Sequence, residues 1–137
     1  MVVKFGLLQG MWEDYNTVKL LLDNGADVNM KNNYGNAALM YAADRKDYNT
    51  VKLLLDNRAD VNMKNNYGNT ALMYAVGSED YNTVKLLLDN GADVSMKDND
   101  GKTALMSAVG REDYNTVKLL LDNGVSWLGN SFNVCRR

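Results

Sequence analysis

The sequence predicts an all-α solenoid, a row of stacked antiparallel helix pairs with β-turns protruding between them. Three observations carry that expectation. The string Asp-Tyr-Asn-Thr-Val-Lys-Leu-Leu-Leu-Asp-Asn occurs four times in 137 residues, beginning at Asp14, Asp47, Asp80 and Asp113, each start 33 residues after the last. A fixed period of that length marks a repeat array, in which one unit cannot bury its own apolar face and leans on its neighbours. Each unit carries two runs of helical apolar spacing separated by turn residues. Four units also exceed the roughly three that an independently stable stack needs.

The pattern divides the chain into a degenerate first repeat over 1–31, repeats over 32–64 and 65–97, a last repeat over 98–124 and an atypical tail over 125–137. The unit from Asn65 to Lys97 serves as the template. It opens on a turn, because Asn66-Tyr67-Gly68 supplies the Asn and Gly that tolerate a tight reversal. Thr70 is placed to cap a helix of about two turns, with Leu72, Ala75 and Val76 on one face. Gly77-Ser78-Glu79 interrupts it. Asp80 then caps a second helix, its carboxylate accepting from orphan amides at the positive end of the helix dipole. Tyr81, Val84, Leu87 and Leu88 form the apolar stripe, and Leu86 widens it enough to bury both flanks. Gly91 follows the C-cap, where a left-handed residue is wanted. The remaining Ala92 to Lys97 reads as an extended arm leading to the next turn.

The 33-residue period, the Asn-Gly-Ala-Asp-Val-Asn and Val-Lys-Leu-Leu-Leu segments and Gly-Asn-Thr-Ala-Leu-Met-Tyr-Ala together resemble the ankyrin repeat, over essentially Asp14 to Gly124. The resemblance implies a stack of antiparallel helix pairs that binds other proteins on its concave side. There are departures. Where the family has Thr-Pro-Leu-His, this chain has Ala-Ala-Leu-Met from Ala37 and Thr-Ala-Leu-Met from Thr70 and Thr103. The proline preset at the first helical position and the histidine that ties neighbouring turns are therefore absent. Where the family has Gly-His or Gly-Asn before its second helix, this chain has Lys46-Asp47, Glu79-Asp80 and Glu112-Asp113. Two local defects fall in the second unit. Ala37 replaces the capping Thr, at a cost of about 1 kcal/mol. Arg58 stands where Gly25, Gly91 and Gly124 end the other copies, a steric cost of roughly 1 kcal/mol if the backbone there is left-handed.

Composition removes several function classes. The chain has 15 basic and 17 acidic residues, the acidic ones spread through every repeat, so it carries neither a nucleic-acid footprint nor a polybasic membrane patch. It contains no histidine, the commonest general base and metal ligand. Cys135 is the single cysteine, which leaves no intramolecular disulfide and no cysteine-based zinc site, and it sits one place short of a prenylation spacing. It reads as an incidental thiol. Lys4, Gly6, Gln9 and Gly10 break up the N-terminal apolar residues, so no signal peptide is expected there, and no stretch approaches a membrane span. The expectation is a cytoplasmic protein, monomeric or weakly self-associating through its tail, with no cofactor.

No enzyme is expected. Near-identical repeats give their carboxylates the same environment four times, whereas acid-base work needs two environments that separate the pKa values. Asp98-Asn99-Asp100-Gly101 resembles the opening of a calcium loop but lacks the remaining ligand positions and the closing Glu. Binding is better supported. The second helix is invariant, and the copies differ at Tyr34/Tyr67/Asp100, Asn36/Asn69/Lys102, Tyr41/Tyr74/Ser107, Asp44/Gly77/Gly110, Arg45/Ser78/Arg111 and Lys46/Glu79/Glu112. These are turn-tip, first-helix and following-loop positions, which the resemblance places on the concave face. The candidate partner-binding residues are Asn33, Tyr34, Asn36, Tyr41, Asp44 and Arg45, with Asn66, Tyr67, Asn69, Tyr74 and Ser78, and Asp100, Lys102, Ser107 and Arg111. Tyr residues there are amphipathic anchors of the kind enriched at hot spots. The competing reading has them stack on one another to stiffen the arms, in a structural or engineered scaffold without a dedicated partner. Exposure of Tyr34, Tyr67 and Tyr74 along one groove discriminates the two.

Other repeated residues are read as structural. Tyr15, Tyr48, Tyr81 and Tyr114 open the second helix and are expected in the core. Met40, Met73 and Met106 are expected as packing filler. Lys19, Lys52, Lys85 and Lys118 precede Asp23, Asp56, Asp89 and Asp122 by four, in the weaker orientation for a helical pair, as a solvated back face. In the tail, Trp127, Leu128 and Phe132 suit either a lid over the last helix pair or a docking segment.

Overall fold

The computed structural model describes residues 14–124. Trp127, Leu128, Phe132 and Cys135, and the segment before Asp14, lie outside the described residues. Seven helices follow in order, with no strand among the described residues: α1 (Tyr15–Asp23), α2 (Ala38–Asp44), α3 (Tyr48–Asp56), α4 (Ala71–Gly77), α5 (Tyr81–Asp89), α6 (Ala104–Gly110) and α7 (Tyr114–Asp122). Short helices α2, α4 and α6 pack side by side in one layer, long helices α1, α3, α5 and α7 in another, and each short helix also packs on the long one that follows it.

The capping arithmetic explains the boundaries. Asp14, Asp47, Asp80 and Asp113 each accept from the backbone amide of the Thr three residues on, at 3.1, 3.2, 3.4 and 3.3 Å. In three copies the Thr hydroxyl also donates to the same carboxylate, at 2.9 Å from Thr17, 2.7 Å from Thr50 and 2.6 Å from Thr83. Thr50 and Thr83 are fully buried, so this bond is what lets a hydroxyl sit in the core. Thr70 and Thr103 cap α4 and α6, accepting from the amides of Met73 and Met106. Ala37 provides no side-chain cap to α2. Thr70 is as buried as Ala37, so the site accommodates the larger residue. Ala37→Thr is therefore expected to raise stability by about 1 kcal/mol, read as a higher urea midpoint at unchanged slope.

Helix ends follow one rule throughout. The amides of Lys46 and Asp47 donate to the carbonyls of Ala43 and Ala42, and those of Arg58 and Ala59 to Leu55 and Leu54. This paired bonding is a Schellman motif, and it demands a left-handed residue just past the C-cap. Gly25, Gly91 and Gly124 meet the demand at φ 86°, 92° and 102°, whereas Arg58 meets it at φ 69° with a side chain. After the short helices the same position is held by Lys46 (φ 60°), Glu79 (φ 59°) and Glu112 (φ 58°). Asp47, Asp80 and Asp113 complete the motif of one helix while capping the next, so each helix pair is joined by only two residues outside both helices and their shared cap. Gly77, expected as part of a helix break, instead lies inside α4.

The core is a row of side chains between the layers. Val18, Val51 and Val84 are fully buried while Val117 in the last copy is not, and Leu54, Leu87 and Leu120 are fully buried while Leu21 in the first is not. The Val side of each long helix is thus covered by the following repeat and the Leu side by the preceding one. Two expectations are corrected here. Tyr15, Tyr48, Tyr81 and Tyr114 are exposed, at 38, 40, 42 and 74%. Each is the first helical residue, where the Cα–Cβ bond tilts toward the N-terminus and carries the ring out of the layer, leaving the inward place to Thr. Met40 is buried and Met73 partly so, but Met106 is 55% exposed because no described repeat lies against its outer side.

The four Lys–Asp pairs on the long helices all form, at 3.2–3.4 Å with both partners mostly exposed. Each is worth at most a few tenths of a kcal/mol.

Candidate functional site

Each turn is organised by the side chain at its base. Asn32 Oδ1 accepts from the amides of Tyr34 (2.9 Å) and Asn36 (3.0 Å), and Asn65 Oδ1 does the same for Tyr67 and Asn69. Asp98 takes over in the last repeat, accepting from Asp100 and Lys102. A carbonyl or carboxylate oxygen at this point replaces backbone partners that the reversal leaves open.

The amide half of the same Asn reaches the helix behind. Asn32 Nδ2 donates to the Tyr41 hydroxyl at 2.7 Å, and Asn65 Nδ2 to the Tyr74 hydroxyl at 2.8 Å. Asn65 Nδ2 also donates to Asn36 Oδ1 in the preceding turn, at 2.8 Å. Tyr41 and Tyr74 are accordingly half-buried ties between turn and helix, and their hydroxyls are already engaged. The last repeat changes both partners: the Asp98 side chain has no amide to donate, and Ser107 replaces the Tyr. What reads in the sequence as variation at Tyr41/Tyr74/Ser107 is a joint replacement of both residues that form the Asn–Tyr bond in the two preceding repeats. This Asn–Tyr network joins turns to helices in a chain that lacks the family's Pro and His.

Adjacent turns are laced into a ladder. The amides of Asn66 and Asn99 donate to the carbonyls of Tyr34 (3.0 Å) and Tyr67 (3.1 Å), and their side-chain amides to the carbonyls of Asn33 and Asn66. Lys31 and Lys64 add Nζ bonds to the carbonyls of Lys64 and Lys97. Along the arms, Asn29 Oδ1 accepts from the Asp60 amide and Asn62 Oδ1 from the Asp93 amide, both at 2.7 Å.

On that ladder the rings of Tyr34 and Tyr67 project 55 and 56% exposed, one from each of two successive turns. Of the three tyrosines whose exposure matters to a binding groove, two stand in solvent and Tyr74 is half-buried with its hydroxyl bonded. Asn33 and Asn66 are exposed beside them, Asn36 and Asn69 are partly buried at the turn exit, and Asp100 and Lys102 are exposed on the last tip. The loops after the short helices are also linked: Ser78 Oγ donates to the Asp44 carbonyl at 2.8 Å, Arg45 lies 3.7 Å from Asp47, and Arg111 lies 3.6 Å from Glu79. Ser107 is half-buried on α6.

At the arm of the third unit, Ser95 donates from its hydroxyl (2.7 Å) and its backbone amide (2.9 Å) to Asp93 Oδ1. These bonds hold the Asp93 carboxyl below its ordinary value of 3.8. A depressed folded-state pKa contributes stability above the unfolded value, and that contribution is lost as pH falls through the folded one. Ser95→Ala is expected to move the Asp93 carboxyl shift titration toward higher pH; an unchanged titration would contradict the hydroxyl's role.

Sequence reasoning missed the turn-base residues Asn32, Asn65 and Asp98 and the left-handed Lys46, Glu79 and Glu112. The signals were available, an Asn or Asp three before a turn Gly and a residue other than Gly where the family has Gly. Among the described residues, no group of three His, Cys, Asp or Glu side chains is arranged to hold a metal, and no helix is long and apolar enough to cross a membrane.

A search of curated proteins finds no significant match to this chain. The family profile described as Ankyrin repeats (3 copies) matches residues 10–98, and that described as Ankyrin repeat matches residues 100–130. With its two helical layers, its 33-residue period and its laced turns, the chain belongs to the ankyrin repeat family.

Proposed function

We propose that this chain is a non-enzymatic module that binds a protein partner on the concave side of its stack, through the turn tips and the exposed residues of the short helices. Ankyrin repeats are protein-interaction modules in general, and the observation that supports this particular face is the pair Tyr34 and Tyr67. Both rings stand more than half exposed on turns that a hydrogen-bond ladder holds in register. Rigid aromatic anchors cost little entropy on binding and dominate interface energetics. Asp44, Arg45, Arg111, Lys102 and Asp100 supply a charged rim of mixed sign. Tyr41 and Tyr74 support the tips from behind.

A structural array without a dedicated partner is the second reading, favoured by the identity of all four long helices. Pull-down with the intact chain beside a Tyr34→Ala/Tyr67→Ala variant separates the two. A protein recovered by the parent and lost by the equally stable variant is the expected result. Identical recoveries from both contradict the proposed face.

A further inference from the structure

The last repeat presents a side that its predecessors bury. Val109 is 46% exposed where Val76, at the same place in the repeat before, is 0%, and Met106 is 55% exposed where Met40 is 3%. Tyr114 and Val117 on α7 are likewise more open than Tyr81 and Val84 on α5. A Cβ on Gly101 meets nothing within 4 Å, whereas on Gly68 it meets the next turn. All of these groups face the direction in which a further repeat would stack. An apolar side of this kind asks for a cover.

A charge is left over at the same end. Glu79 lies 3.6 Å from Arg111 of the repeat that follows it. Glu112 holds the equivalent place in the last repeat, and no described repeat follows to supply its cation. The chain beyond α7 ends on Arg136 and Arg137.

The register of residues 125–137 argues for a cover and against another repeat. Shifted by one period of 33, Val125 and Trp127 fall at the positions of Ala92 and Val94, which pack on the core from the preceding arm. Val134 falls at the position of Gly35, Gly68 and Gly101, all at φ 78–82°. A β-branched residue is an outlier in that backbone, so the turn that opens a repeat is denied to this segment. Length suffices for a crossing. From Gly124 to Arg137 an extended chain reaches about 40 Å at ~3.3 Å per residue, whereas α7 is about 14 Å long at 1.5 Å per residue. Because α6 and α7 are antiparallel, a segment leaving Gly124 meets Met106 first, then Val109, and Glu112 at the far end. Its own order is Trp127, Phe132 and the two Arg, so ring meets thioether and cation meets carboxylate in the same sequence. Tethering sets an effective concentration in the millimolar range, which a second copy would have to match.

We infer that residues 125–137 cover the end of the stack, Trp127 and Phe132 lying on Met106 and Val109. The turn tips take no part in this, and its test does not depend on them. The full chain carrying Trp12→Phe keeps Trp127 as its one indole. Trp127 emission from the folded chain is expected to the blue of its emission in urea, and Met106→Gln/Val109→Gln is expected to move it toward the urea value and to lower the urea midpoint. On an open face that pair costs nothing, since Gln forms helix as well as Met and better than Val. Trp127→Ala/Phe132→Ala is expected to lower the midpoint as well. All four replacements together are expected to lower it by less than the two losses summed, because they remove the same contacts. Three results overturn the inference: an unchanged or higher midpoint for the Gln pair; strictly additive losses; or a dimer in sedimentation that the Gln pair returns to monomer, which assigns the face to a second copy.

Discussion

Replacing Lys46, Arg58, Glu79 and Glu112 together by glycine is expected to raise the melting temperature by about 5–15 °C. All four hold left-handed backbone, at φ 58–69°, immediately past a helix C-cap. A side chain in that conformation costs about 1–2 kcal/mol, and the glycine that relieves it gives back about 0.5–1 kcal/mol in unfolded-state entropy. The net is about 0.5–1 kcal/mol per site, or about 2–4 kcal/mol for four, and a chain of this size gains a few degrees per kcal/mol. The sites lie in separate connections, so their effects add. Removing Glu79 also removes its 3.6 Å contact with Arg111, a half-exposed pair that offsets at most a small part of the gain. Asparagine at the same positions is expected to recover part of the effect. An unchanged melting temperature for the fourfold variant contradicts the strain.

Gly68→Ala is expected to destabilise by about 3 kcal/mol, against about 1 kcal/mol for Gly101→Ala. Both residues have φ 82°, so the backbone penalty of roughly 1–2 kcal/mol is common to them. The surroundings differ. A Cβ on Gly68 stands 2.6 Å from Asn99 Oδ1 and 2.7 Å from the Asn99 amide nitrogen, while on Gly101 it meets nothing within 4 Å. Backbone cannot yield as a flexible side chain does, so Gly68→Ala pushes the next turn away and loses its two ladder bonds, each worth about 1 kcal/mol. Urea unfolding of the two variants side by side measures the difference. Equal losses would mean that the turns are not packed as the ladder requires.

The two variants illustrate what the sequence could and could not disclose. Gly68 and Gly101 look alike in the chain, and among the described residues only Gly68 has a following turn packed against it. The array itself was legible because repetition displays the same apolar spacing and the same Asp and Thr caps several times over. The left-handed strain at Arg58 was visible within the chain because three sister copies have Gly there; that at Lys46, Glu79 and Glu112 shows only against the family's Gly, since every described copy departs from glycine alike. Tyr15 and its equivalents were misplaced because a helical stripe ignores position along the helix. At the first residue the side chain leaves the layer, and the invariant Thr occupies the core instead.

The turn-tip face was legible as a place where copies differ, but not in its division of labour. Tyr34 and Tyr41 are the same residue type seven positions apart. One projects from the tip and the other accepts a hydrogen bond from the Asn that builds it. In the last repeat both residues of that bond are replaced, by Asp98 and Ser107, a joint change that no single position reveals.

A photo-crosslinking residue placed at position 34 or 67, with position 118 on the outer face of α7 as control, tests the proposed binding face most directly. A covalent adduct to one protein at 34 and 67, and none at 118, is the predicted result; adducts at 34 and 67 no more frequent than at 118 would contradict it.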